Sequence, residues 1–224
     1  MIDQDKRSAA AVAVAEIADS MVVGLGTGST AAHAIRLIGA RVAQGLTIRA
    51  VATSVASEAL ARSLGIIVED FAGVARIDLA IDGADEIDEG CWAIKGAGGA
   101  MLREKVVAAA ADRMIVIADG TKRVARIGAV PVPVEVLPFA RDFVVARLTA
   151  LGADVTIRPK TLSDNGNPIA DCRFAVLNDP PATASAIDGI PGALGHGLFL
   201  TEVDAAYIAQ AGVVTRLERP LKRG

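Results

Sequence analysis

The stretch MVVGLGTGSTAAHAIRLIGARVA, residues 21–43, decides the fold class. An apolar, β-rich run ends on glycines and hydroxyl side chains and passes directly into an alanine-rich helical segment, which is the strand–turn–helix step of a βαβ unit. The step recurs. Further strand-like runs, LTIRAVATS, GIIVE, RIDLAIDGAD and DRMIVIAD, alternate with helices expected near residues 55–64 and 100–111, after the one over 30–43. Another helix precedes the first strand. The reading is α/β: a doubly wound, mostly parallel, Rossmann-like sheet.

The rhythm breaks at AVPVPVEVLPFA, because proline removes ladder donors and disfavours helix, so a boundary falls near residue 129. Beyond it the pattern reads strand (132–137), helix (140–151), strand (154–158), an SDNGN turn, strand (168–174), helix (181–187) and strand (195–200). That β-α-β-β-α-β order predicts a smaller, inserted ferredoxin-like α+β domain over 129–202, with 203–224 returning to the first sheet beside 1–128.

Composition narrows the function classes. A chain of 224 residues can bury one sizeable core, or one larger and one smaller, without disulfides. Its apolar stretches are broken by Glu16, Arg36, Glu58 or Arg62 well short of the ~20 residues of a membrane span. The N-terminus lacks the pattern of a secretory signal, and Cys91 and Cys172 are too few and too far apart for a disulfide framework, so the expected setting is cytoplasmic with no membrane partner. A net charge of −3 and sparse aromatics argue against nucleic acid. The basic end RLERPLKRG reads as a solvated terminus.

In an open parallel sheet, ligands bind beyond the carboxyl ends of the strands. Every such end here is polar. GLGTGST (24–30) has Ser29 where a dinucleotide fingerprint needs its third glycine and has no phosphate-loop lysine. A turn of Thr27, Gly28, Ser29 and Thr30 at a helix N-terminus suits a small phosphate monoester, and equally suits ordinary helix capping. DGADEID (82–88) places Asp82 at a strand end and lets Gly83 bring Asp85 alongside, with Glu86, Asp88 and Glu89 farther out and free to be solvated. No metal-ligand spacing accompanies these acids, and His33 and His196 stand apart. In KGAGGAMLREK (95–105), Lys95 supplies a cation beside a glycine-rich turn. Glu104, with Ala100, Met101 and Ala108 at helical spacing, sits in surroundings that would raise its pKa, unless it is a surface glutamate paired with a cation.

Taken in order, GLGTGST, DGADEID, KGAGGAMLREK, ADGTK (118–122) and PVPVEVLP (131–138), with DNGN and GLF later, resemble ribose-5-phosphate isomerase of the A type over almost the whole chain. The resemblance implies interconversion of D-ribose 5-phosphate and D-ribulose 5-phosphate in the pentose phosphate pathway, with a sugar phosphate as the substrate partner and neither metal nor organic cofactor. It makes Glu104 the proton-shuttling base, Lys95 the stabiliser of the enediolate, and Asp82 and Asp85 the groups that hold sugar hydroxyls and help open the ring. Thr27, Gly28, Ser29, Thr30, Gly83, Ala84, Gly96, Ala97, Gly98 and Lys122 match its substrate-binding positions. It further implies a homo-oligomer, a dimer first. One departure is Ala97, where the family has glycine; a positive φ there would strain the loop. Two competing readings share these residues: another sugar-phosphate isomerase or deaminase, separable by assaying other sugar phosphates, and a non-catalytic sugar-phosphate sensor, which would have no use for Glu104, Lys95, Asp82 and Asp85 together.

Overall fold

The computed structural model describes residues 1–219. The last part of the basic end, residues 220–224, lies outside them, while Arg216–Glu218 are not a free tail but the end of a strand.

A six-stranded sheet carries the structure. Its strands are β1 (Val22–Leu25), β2 (Arg49–Ala52), β3 (Leu79–Asp82), β6 (Met114–Asp119), β12 (Ala205–Gln210) and β13 (Val213–Glu218), in the order β13-β12-β6-β3-β1-β2. All neighbours pair in parallel except the β12–β13 hairpin at one edge. Both faces are covered, which explains why these strands read as continuous apolar runs rather than alternating ones. On one face Val23, Leu25, Leu79, Ile81, Ile115 and Ile117 pack with α1 (Ile2–Val14) and α2 (Ser29–Val42), and Ala9, Ala10 and Ala13 let α1 approach closely. On the other face Ala80, Met114, Val116 and Ala118 meet Val107 and Ala108 of α4 (Met101–Ala110). The helix α3 (Val55–Ser63) starts on a Ser54 cap that accepts from the Ser57 N–H.

GIIVE is not a full strand. Ile66 and Val68 reach the core while Ile67 faces out, and only Val68 bridges to Ala50 at the edge beyond β2. The chain is too short there to lay down a ladder before Asp70 turns it away.

Between β6 and β12 lies a four-stranded antiparallel sheet of β7 (Val132–Val136), β8 (Ala153–Leu162), β9 (Pro168–Phe174) and β10 (Ala193–His196), ordered β10-β7-β9-β8. With α5 (Arg141–Ala150) and α6 (Pro180–Asp188) it has the ferredoxin-like arrangement, around a core that includes Val132, Val134, Val144, Leu148, Cys172 and Ile187. The last expected strand, 195–200, is divided: β10 pairs with β7, and after Gly197 the chain forms β11 (Leu198–Phe199). That short strand joins β5 (Ala93–Ile94) and β4 (Glu86–Ile87) in a three-stranded sheet with no sequence signal of its own, since two-residue strands carry no periodicity.

Candidate active site

The acidic stretch that ends β3 divides by burial. Asp82 is 2% exposed, and its Oδ1 accepts from the Thr27 N–H at 2.9 Å and the Gly83 N–H at 2.7 Å. The turn after β1 is thereby tied to the turn after β3. Gly26 is required for this, because a Cβ there would stand 2.1 Å from Asp82 Oδ1 and 2.5 Å from its Cα. Glu86 and Asp88, which the sequence leaves free to be solvated, are buried. Glu86 accepts the N–H groups of Gly128, Ala129 and Val130 and so anchors the approach to β7, while Asp88 Oδ1 accepts those of Gly90 and Trp92 and shapes the turn between β4 and β5. Glu89 alone of the three is exposed, paired with Arg123.

Lys95 follows β5 and is buried to 2% exposure. Its ammonium lies 2.9 Å from Asp82 Oδ2 and 3.2 Å from Glu104 Oε2, and donates to the Gly83 carbonyl at 2.5 Å. Burial alone would lower its pKa, but the charges of Asp82 and Glu104 and the hydrogen bond to Asp82 hold it above the ordinary lysine value, so it is a fixed cation. Glu104, on the first turn of α4, is 4% exposed. Burial and the charge of Asp82 push its carboxyl up to about 8, against the opposing pull of Lys95. Burial is the larger cause, and the charges add to it: one ammonium faces two carboxylates, with the charge of Asp85 nearby, so the cluster favours a proton on Glu104.

These groups border a cavity of about 230 Å³ lined by Thr27, Gly28, Ser29, Thr30, Gly83, Ala84, Asp85, Lys95, Gly96, Ala97, Gly98, Glu104, Lys122 and Lys6. Every expected site residue except Asp82 is on its wall; Asp82 lies one layer behind, between Lys95 and the Thr27 N–H. The volume falls below the ~300 Å³ at which pockets for drug-sized ligands begin, which suits a compact polar metabolite. A larger cavity of about 630 Å³, bordered by Arg62, Phe71, Arg103 and Val106, contains none of the expected site residues.

The glycine-rich turn accommodates Ala97 without strain. Gly96 and Gly99 take positive φ, 104° and 86°, whereas Ala97 is not among the positive-φ residues. Its N–H donates to Asp85 Oδ2 at 2.9 Å, so the chain contributes a backbone contact there that a methyl group does not disturb. Lys122 is presented by a short turn that Asp119 caps through the Thr121 N–H.

Sequence reasoning missed Lys6. It comes from α1, and its ammonium donates to Ser29 Oγ at 2.9 Å at the start of α2. A lone lysine in a mixed-charge helix has no sequence signal; only the packing of α1 on α2 brings it to the cavity. The histidines stay outside the cavity lining: His33 meets Asp3, and buried His196 accepts the Leu198 N–H and faces Asp188. Both cysteines are buried free thiols. Among the described residues no group of three or more His, Cys, Asp or Glu side chains is arranged to hold a metal ion, and no helix is long and apolar enough to cross a membrane.

The geometry has close relatives. Residues 49–212 match the family model of ribose 5-phosphate isomerase A (phosphoriboisomerase A). The chain is 51% identical over 214 residues to ribose-5-phosphate isomerase A of Sphingopyxis alaskensis, covering 94% of each chain, and 47% identical over 219 residues to that of Haloarcula marismortui, covering 95% of each. Among solved structures, a D-ribose-5-phosphate isomerase in complex with phospho-erythronic acid superposes with a TM-score of 0.94 at 35% identity, covering 98% of this chain and 100% of that one. Ribose 5-phosphate isomerase A from Neisseria gonorrhoeae gives 0.93 at 33% identity, covering 98% of both. Fold, cavity and sequence agree: the chain belongs to the ribose 5-phosphate isomerase A family of aldose–ketose isomerases.

Proposed function

We propose that this protein interconverts D-ribose 5-phosphate and D-ribulose 5-phosphate through an enediol, in the non-oxidative pentose phosphate pathway, with Glu104 as the general base. The observation that carries the reading is the Glu104 carboxyl on the cavity wall, 3.2 Å from a buried ammonium and raised to about 8. A base held near the operating pH can take a proton from C2 of the open-chain aldose and return it to C1 on the same face of the enediol plane. An ordinary surface glutamate would be too weak a base to do so efficiently.

The other groups follow from what the reaction needs. As the proton leaves C2, negative charge grows on the carbonyl oxygen, and Lys95 is a preorganised cation in water-poor surroundings at that position. It supplies the positive charge that a metal would otherwise bring. Asp85, on the wall with its Oδ2 steadied by the Ala97 N–H, takes the sugar hydroxyls and assists ring opening. Asp82 contributes from behind, by fixing Lys95 and the Thr27 turn. The start of α2, with Ser29, Thr30, Lys6 and Lys122, provides helix N–H groups, hydroxyls and two ammonium groups for the phosphate. A phosphorylated polyol acid, such as the phospho-erythronic acid bound by the solved relative, carries the same two kinds of group.

We assign residues 1–128 with 203–219 as the catalytic domain and 129–202 as a lid and assembly domain of a cytoplasmic dimer. Contact of the β8–β9 hairpin with α4, through Arg103 and Asn165, supports the lid role. Light scattering tests the dimer. The test of function is conversion of ribose 5-phosphate to ribulose 5-phosphate with a chelator present. Full activity is expected; activity lost on chelation and restored by a divalent cation would remove Lys95 from its assigned role.

A further inference from the structure

We propose that Arg158, aimed by Asp171, is a positioning residue for the isomerisation: from the small antiparallel sheet it fixes the peptide planes of the substrate-binding turn that follows Lys95. The proposal rests on the reading of the cavity as the isomerase site.

Arg158 Nη1 donates to the carbonyls of Gly96 at 3.1 Å and Ala97 at 3.0 Å. Its Nε and Nη2 are occupied by both oxygens of Asp171, each at 2.7 Å. Asp171 on β9 pairs with Thr156 on β8, so Arg158, two residues along, shares its face as the diagonal neighbour. The β8–β9 pairing register is irregular between Ile157 and Leu162, the stretch of β8 that holds Arg158. The guanidinium is therefore held on one edge by a bidentate carboxylate, and its remaining nitrogen reaches two consecutive carbonyls. Only arginine has a rigid fork that does both.

The consequence for the site follows from peptide geometry. In a trans peptide the C=O and the next N–H point in opposite directions, and the chain has no cis bonds. The Gly96 carbonyl, held by Arg158 and also by the Gly99 N–H at 3.0 Å, turns the Ala97 N–H the other way, and that N–H meets Asp85 Oδ2 at 2.9 Å. Holding the Ala97 carbonyl in the same way turns the Gly98 N–H away from Arg158, in a residue that lines the cavity. One side chain from outside the cavity lining thus orients a donor for Asp85 and the N–H of a residue on the cavity wall. Glu104 and Lys95 depend on other contacts.

The test is Arg158→Met in the full chain, with Arg158→Lys beside it, measured by steady-state kinetics and by amide hydrogen exchange of residues 96–98. The expected result is a KM for ribose 5-phosphate raised about tenfold to a hundredfold, the range set by charge-assisted hydrogen bonds. The kcat should change by less than about threefold, because the lost interaction serves substrate and transition state alike. Exchange at the turn should quicken about tenfold or more, and lysine should restore little of either effect. An unchanged KM with unchanged exchange overturns the proposal, as does full rescue by lysine or a fall in kcat alone. If Arg158→Met does not fold, Asp171→Asn, which leaves the arginine without its aiming charge, is read by the same criteria. Absence of isomerisation in the wild-type protein would defeat the functional reading, whereas the exchange measurement needs no turnover and tests the clamp by itself.

Discussion

Glu104→Gln removes the proton acceptor and little else. The amide has nearly the carboxylate's shape, can still accept from Lys95, and leaves that ammonium its contacts with Asp82 and the Gly83 carbonyl. Loss of a general base costs about 10² to 10⁴ in rate, equivalent to ~3 to 5 kcal/mol of barrier. The expected kcat is therefore at least a hundredfold lower. Binding of a non-isomerising sugar-acid phosphate, followed by calorimetry, should stay within about tenfold, as for a group whose role lies in the transition state. The pH dependence supplies a second signature. With the carboxyl raised to about 8, wild-type kcat/KM should climb through neutral pH and level off above about 8, and the variant should lack that climb. Stability has a definite sign as well. A folded-state pKa above the ordinary 4.5 means the native protein holds a proton that the unfolded chain releases. The stabilisation is complete below 4.5 and is lost as pH rises through about 8. Urea unfolding of the glutamine variant should show a shallower decline over that window. Turnover within tenfold of wild type, or an unaltered rise with pH, would refute the assignment of Glu104 as base.

Three further outcomes follow from particular contacts. Lys6→Ala should raise KM about tenfold while kcat holds, since the contact proposed between its ammonium and the phosphate would be made equally in ground and transition states; steady-state kinetics at fixed ionic strength decides it. Gly26→Ala drives a methyl group against Asp82, so displacement of the Asp82–Lys95 pair should lower kcat/KM at least about a hundredfold and reduce unfolding free energy by about 2 kcal/mol. Glu135→Ala strips the buried carboxylate that accepts from Ser163 Oγ and from the side-chain amides of Asn165 and Asn167, and chemical denaturation should register about 3 kcal/mol of lost stability.

Much of the fold was legible because its signals are local. The runs that became β1, β3 and β6 are apolar throughout since both faces of the sheet are covered, and proline at 131, 133 and 138 marks where the second sheet begins. GIIVE misled because apolar residues announce burial without announcing a partner: Ile66 and Val68 are buried, yet the edge beside β2 gives them a single bridge. Glu86 and Asp88 misled in the opposite direction. Their charge suggests solvent, and only the arriving N–H groups of Gly128–Val130, Gly90 and Trp92 make burial tolerable.

The sequence by itself determined which chemistry is present: a carboxylate in apolar helical surroundings, a lysine before glycines, acids at a strand end and hydroxyls at a helix start. These depend on residue type and spacing within one turn or one loop. Tertiary structure alone decided which of them meet. Lys95, Asp82 and Glu104 come from three separate elements, and the burial that packing imposes on Glu104, together with the nearby charge of Asp82, raises its carboxyl to about 8 against the pull of Lys95. Lys6 and Arg158 reach the site across 23 and 62 residues of chain, to Ser29 and Gly96 respectively. Such contacts arise from the packing of α1 on α2 and of the small sheet on the glycine-rich turn, and long-range packing leaves no local pattern from which it can be read.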